Sequence, residues 1–182
     1  MGGDITGNGH FEMGEVLTHT LDFTVNNIDL AQSWKGLYHE TSPYQGEING
    51  RINTSGPIET IDSLRFLANL TMQKMSFKNK PLPDFVVNVS LGQAVADLDI
   101  HQAESQIKAK VKLTDEQLWG DFSVEIFQLE PFAGLFNLMG LRGMVNVKGD
   151  ISGTVESPNI RADFTAGQIR YQNIPLDTLR GS

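Results

Sequence analysis

Residues 143–179 read GMVNVKGDISGTVESPNIRADFTAGQIRYQNIPLDTL, and this stretch decides how the chain folds. It has the grammar of a glycine-bearing strand, a Ser-Gly turn, a second strand, a short turn and a third strand closed by an Asn-x-Pro-Leu hook. The same grammar occurs once earlier, over residues 46–85. Gly46, Asn49, Ser55 and Gly56 recur as Gly143, Asn146, Ser152 and Gly153, each 97 residues on. Asn79, Pro81 and Leu82 recur as Asn173, Pro175 and Leu176, 94 residues on, which fits one loop of different length. Between them Met75 answers Ile169 and Phe77 answers Tyr171. A period this long marks a repeat architecture. The units run approximately over residues 28–127 and 128–182, the second incomplete, and the chain reads as a single fragment of a longer repeat β-domain.

Outward from the repeat, apolar residues alternate with polar ones. Leu17, His19, Leu21, Phe23 and Val25 share one side of a strand, and Thr18, Thr20, Asp22, Thr24 and Asn26 the other. The same period gives strands with Ile48 and Ile52; with Leu64, Phe66, Ala68, Leu70 and Met72; and with Phe85, Val87, Val89 and Leu91. A turn at Gly92-Gln93 leads to Ala96, Leu98 and Ile100. Further strands carry Ile107, Ala109, Val111 and Leu113, then Leu118, Gly120, Phe122, Val124 and Ile126. The last carry Val145, Val147 and Ile151, then Ile160, Ala162, Phe164 and Ala166. Two short amphipathic helices interrupt the pattern. One starts near Asp29, with Leu30, Trp34, Leu37 and Tyr38 at helical spacing. The other lies over residues 129–139, with Pro131 in its first turn and Phe132, Leu135, Phe136 and Met139 as its stripe. The glycine-rich start, whose Gly3-Asp4-Ile5-Thr6-Gly7 resembles both residues 46–50 and residues 149–153, is either a further strand or a loose terminus.

The expectation is an all-β chain of nine or ten short antiparallel strands, each with one apolar face. Neither helix is long enough to cover a sheet, so the apolar faces must meet one another or line a trough. At about 25 cal/mol per Å² of apolar area, leaving nine such faces wet costs tens of kcal/mol.

Other chemistries find little support in the residues. Net charge is −8, against nucleic acid and against electrostatic docking on anionic lipid. There is no cysteine, which removes disulfides and thiolate chemistry. The opening residues have no signal-peptide pattern, and no run approaches the ~20 apolar residues of a membrane-spanning helix. His10, His19, His39 and His101 fall singly, without metal-ligand spacing; His19 reads as a packed or rim histidine. Asp22, Asp97, Asp99, Glu125 and Asp163 fall on outward faces, with no acid–base pair set in an apolar pocket. No nucleophile elbow or phosphate loop occurs. The reading is therefore a non-enzyme with no catalytic residue, metal or cofactor. Lys108, Lys110 and Lys112 make a solvated outer stripe that could blunt a sheet edge, and Trp34 and Trp119 read as core or helix anchors.

Ser152-Gly153, Ser157-Pro158-Asn159-Ile160 and Tyr171-Gln172-Asn173-Ile174-Pro175-Leu176 carry a resemblance to the TamB branch of the AsmA-like proteins. It covers about 40 residues well and, through the earlier copy, about 140 loosely. The earlier copy departs where Pro57, Ile58 and Glu59 stand for Thr154, Val155 and Glu156, and Ile61 for Pro158. The resemblance implies a curled antiparallel sheet with an apolar groove, the β-taco. It also implies a periplasmic location in an inner-membrane-anchored protein and a TamA-like outer-membrane partner. The implied roles are autotransporter assembly and phospholipid carriage between membranes. Phospholipid acyl chains or nascent β-strands are then the expected occupants. The groove would be lined by Leu21, Phe23, Val25, Leu64, Phe66, Leu70, Phe85, Val87, Val89, Phe122, Val124, Val147 and Phe164. The competing expectation is a closed β-sandwich or solenoid, a structural or adhesive module with a dry core.

Overall fold

A computed structural model describes residues 2–57, 60, 62–114, 116–133, 135, 138, 140–172, 174–176 and 178–181. Phe136 and Met139 of the expected second helix stripe, Asn173 of the hook, and Ile58, Glu59 and Ile61 of the earlier copy lie outside the described residues.

Alternating sequence dictates strands, and the strands form one sheet. They are β1 (Asp4–Met13), β2 (Leu17–Asp29), β3 (Tyr44–Pro57), β4 (Arg65–Phe77), β5 (Lys80–Pro81), β6 (Phe85–Gly92) and β7 (Val95–Gln102). Then come β8 (Ser105–Thr114), β9 (Gln117–Ile126), β10 (Leu141–Thr154), β11 (Pro158–Tyr171), β12 (Ile174–Pro175) and β13 (Leu179–Gly181). Helix α1 (Leu30–Tyr38) follows β2, and the single turn α2 (Glu130–Ala133) follows β9. All pairings are antiparallel, in the order β1-β2-β3-β4-β6-β7-β8-β9-β10-β11-β12, with β5 on β4 and β13 on β11. The sheet is curled but not closed, so the closed sandwich expectation is not met. Ten strands have eight to fourteen residues, longer than expected; β5, β12 and β13 add three short ones. The glycine-rich start is a strand, β1, paired with β2 over its full length and exposed throughout.

Surface area reflects this openness. The chain exposes 12459 Å². A compact monomer of 20.1 kDa would expose roughly 8,700 Å². Among the described residues only small or scattered apolar side chains are buried, such as Val25, Ala68 and Ala166, and none of the large ones is fully buried.

The repeat has a physical basis in two β-bulges. The β3–β4 register shifts between Gln45 and Glu47, and the β10–β11 register between Arg142 and Met144. At each shift sits a glycine at positive φ, Gly46 (147°) and Gly143 (134°), facing a strand residue in the left-handed region, Lys74 (53°) or Gln168 (53°). The next side chain, Met75 or Ile169, packs against that glycine and is 94% buried in both copies, at 6% relative exposure. The hooks repeat as well: Leu82 N–H donates to the Met75 carbonyl at 2.8 Å, and Leu176 N–H to that of Ile169 at 2.8 Å. The 97-to-94 shift has a local cause. Seven residues, 58–64, join β3 to β4, whereas three, 155–157, join β10 to β11, and β11 is one residue longer than β4. Equating residues 149–153 with residues 46–50 is not supported: Gly46 marks the bulge, whereas Gly149 pairs in mid-strand with Phe122 and Ala162.

Asp29 caps α1, its carboxylate accepting from Gln32 N–H at 2.9 Å, and His39 ends the helix in a left-handed conformation. Trp34 of α1 stacks near Tyr44, which meets Phe77 across the β3–β4 pair. Phe132 of α2 lies 6.3 Å from Phe85 of β6. Both helices therefore sit at the same end of the strands, toward the apolar side.

The bulges predict opposite outcomes for two glycines. A methyl at Gly143 would lie 2.6 Å from Ile169 Cδ1, on a backbone that disfavours a side chain; Gly143→Ala should cost about 1–3 kcal/mol. Gly36 of α1 has open space around it, and Gly36→Ala should add up to about 1 kcal/mol. Urea unfolding of the two variants checks both signs. Equal midpoints would contradict this account of the repeat.

Candidate functional site

Side chains directly opposite in an antiparallel pair share a face. Following the register from strand to strand therefore sorts the sheet. One row runs Ile5, Val25, Gly50, Leu70, Val87, Ile100, Ile107, Val124, Val147, Phe164. The next on that face runs Gly7, Phe23, Ile52, Ala68, Val89, Leu98, Ala109, Phe122, Gly149, Ala162. A third runs Gly9, Leu21, Thr54, Phe66, Leu91, Ala96, Val111, Gly120, Ile151, Ile160. Three rows of ten contain no charge and one polar side chain, Thr54. Its hydroxyl meets His19 Nε2 at 3.0 Å, placing His19 beside the wall as a packed histidine.

The rows between these are polar. Thr6, Thr24, Arg51, Asn69, Asn88, Asp99, Lys108, Ser123, Lys148 and Asp163 form one; Asn8, Asp22, Asn53, Leu67, Ser90, Asp97, Lys110, Asp121, Asp150 and Arg161 form another. Leu67 is the lone apolar member. Opposite charges meet across several strand pairs. Arg51 makes a bidentate pair with Asp22, its Nε donating at 2.9 Å, and the guanidinium holds the Asp22 carboxyl below its ordinary pKa. Lys110 Nζ lies 3.6 Å from Asp97, and Asp121 and Asp150, opposed to each other, are flanked by Lys110 and Arg161.

The lysine stripe is not at an edge. Strand β8 is central, and Lys108 and Lys110 stand opposite carboxylates of β7, so the stripe is one band of a charge ladder. Trp119 is no core anchor: it stands on the polar side opposite Lys112 and Ser152, 59% exposed. Trp34 does anchor a helix, through its stacking on Tyr38 and Tyr44.

Twelve of the thirteen residues expected to line a groove fall on the apolar face. Eleven lie in the three rows, and Phe85 lies beside them, paired with Met72. Leu64 stands one residue before β4. Val25 is buried, Phe164 exposed, and the others half-buried. The face also includes residues outside the expected set, notably Ile52, Leu91, Leu98, Ile100, Ile107, Ile151 and Ile160. Their alternation was visible in the sequence; the register that brings them beside Phe23 and Phe122 was not.

Shallow depressions of about 860 Å³ over β9–β11 and 470 Å³ over β4–β9 open mainly on the polar side, among Asp121, Lys148, Asp150 and Arg161, and around Leu67, Asp97 and Lys110. Both are lined by charges of either sign in contact with solvent, where screening weakens any hold on a ligand. The apolar face is a wall rather than a pocket, and is the stronger candidate because its whole area can be removed from water. Among the described residues no cluster of acidic, histidine or cysteine side chains could hold a metal ion, and no helix is long and apolar enough to cross a membrane.

No curated protein and no solved structure matches the chain. A family model described as TamB, N-terminal domain, matches residues 1–182. With a match along its full length, the chain belongs to the TamB N-terminal domain family.

Proposed function

We propose that the apolar wall is a stretch of a lipid-carrying groove in a periplasmic protein anchored in the inner membrane. It holds the acyl chains of phospholipids moving between the inner and outer membranes, and its role is non-catalytic. Residues 28–127 would supply one unit, and residues 128–182 part of the next, of a longer repeat β-domain. The observation that carries this reading is the unbroken run of three apolar rows across ten strands.

Dimensions support it. Ten strands at about 4.8 Å spacing give a wall about 43 Å long. Three rows occupy five residues of each strand, about 14 Å, close to the ~15 Å depth of one leaflet of hydrocarbon. Each methylene moved from water to the wall contributes about 0.8 kcal/mol, so some ten methylenes suffice for firm binding without any polar contact.

A second role suits the same wall: together with a TamA-like outer-membrane partner, it would hold the apolar faces of nascent β-strands of autotransporters.

Photo-crosslinkers placed at Val87 and Phe66 should capture phospholipid, and those at outward Asp97 and Lys110 should not. Val87→Asp and Phe66→Asp should lower co-purifying phospholipid about tenfold or more while leaving the far-ultraviolet circular dichroism unchanged. Lipid retained at the unmodified level in folded Val87→Asp would sink the proposal.

A further inference from the structure

The wall lacks what a head-group site needs. Its one hydroxyl, on Thr54, is engaged by His19. A phosphate would need clustered donors or cations, and the three rows contain neither. The rim formed by the β1–β2, β3–β4, β8–β9 and β10–β11 turns carries Glu15, Asp62, Glu116 and Glu156, with no lysine or arginine among the described turn residues. At the opposite rim Lys74 pairs with Glu47 at 2.7 Å, and Arg142 with Glu130 at 3.6 Å.

The relief of the wall is also unusual. Five glycines stand in the apolar rows, and at Gly7, Gly9 and Gly149 a large side chain from the adjacent strand overlies the backbone. A methyl at Gly7 would come 2.6 Å from Phe23 Cδ1, at Gly9 2.6 Å from Leu21 Cδ2, and at Gly149 2.6 Å from Phe122 Cε1 and Cζ. The rings of Phe23 and Phe122 therefore lie down over glycine backbone instead of standing into the groove. Such a surface offers long, low contact area and no notch that fixes a ligand's position along the wall.

We propose that the groove selects hydrocarbon chains by contact area alone, with no preference among lipid head groups, and that Phe23 and Phe122, laid over Gly7 and Gly149, set the contour that grips the chains. This rests on the lipid reading above. It assigns diacylglycerol, phosphatidylethanolamine and phosphatidylglycerol of equal chain composition to one affinity class. An anionic head gains nothing from the carboxylates of the turn rim, and their repulsion is screened over about 8 Å at physiological salt.

The test uses the unmodified chain loaded with a pyrene-labelled fatty acid, displaced by dioleoylglycerol, dioleoyl-phosphatidylethanolamine or dioleoyl-phosphatidylglycerol. The three should displace it at concentrations within about tenfold of one another, since a phosphate held by one charge-assisted hydrogen bond would exceed that. Phe122→Ala should weaken all three by a common factor. A head-group preference above about tenfold, or a Phe122→Ala effect confined to one head group, would overturn this inference and leave lipid carriage standing. No binding of any probe would remove lipid carriage and the inference together.

Discussion

Everything in this chain depends on keeping the side-chain period of two in phase across ten strands. A one-residue slip between any two neighbours would turn a whole strand's apolar residues to water and its charges to the wall. The described ladder stays in phase from Ile5 to Phe164, and the register shifts fall beyond the three apolar rows, toward one end of the strands. The β2–β3 register shifts between Val25 and Ile28, with Asn27 in a left-handed conformation and its N–H bonded to the Asn49 side chain at 2.8 Å. The two glycine bulges shift the β3–β4 and β10–β11 pairs at that same end. After each, the alternating rows resume on the same side.

The charge ladder on the opposite face pins the same register by other means. Exposed ion pairs each contribute little, about 0–1 kcal/mol. Their value here is in discrimination: in the native register Lys108 and Lys110 both meet carboxylates of β7, and a one-residue slip would set both against apolar residues among Ala96, Leu98 and Ile100. An open sheet of this width cannot rely on a second layer to choose its pairing, since no layer among the described residues covers it. Helices α1 and α2 reach only one end of the strands, where Trp34, Tyr44, Phe77, Phe85 and Phe132 gather the aromatic contacts.

Much of the fold was legible in the sequence because two periods carry it. Alternation located nine of the ten main strands and left β1 open between a strand and a loose terminus, and the recurrence of Gly46, Ser55 and Gly56 as Gly143, Ser152 and Gly153 marked two strand pairs that share a glycine bulge. Helix α1 was legible from the spacing of Leu30, Trp34 and Tyr38 and from Asp29 as cap. What stayed hidden is non-local. Nothing in the string Lys108 to Lys112 says that it is central rather than marginal; that follows only from which strands flank it. Trp119 alternates with Leu118 and Gly120, and its polar-side position follows from the same phase, yet its size suggested burial. The left-handed turn at Gln93-Ala94 (φ 53° and 56°) lies one residue past the expected Gly92-Gln93, because Gly92 still pairs with Val95. The apolar face was legible as a set of half-buried strands, whereas the wall they compose required the register.

The central claim is that this wall is open and is covered only when a ligand occupies it. The chain has no native cysteine, so single cysteines can be placed at Val89 and Leu98 on the wall and at Ser90 and Asp97 on the polar side. The decisive measurement is the rate at which a small maleimide modifies each thiol in delipidated protein and again after phospholipid is added. An open wall predicts ready modification at all four positions without lipid, and protection at Val89 and Leu98 alone once lipid is present. Wall thiols that resist modification under both conditions, while the polar-side thiols react, would show a closed dry core and contradict the account.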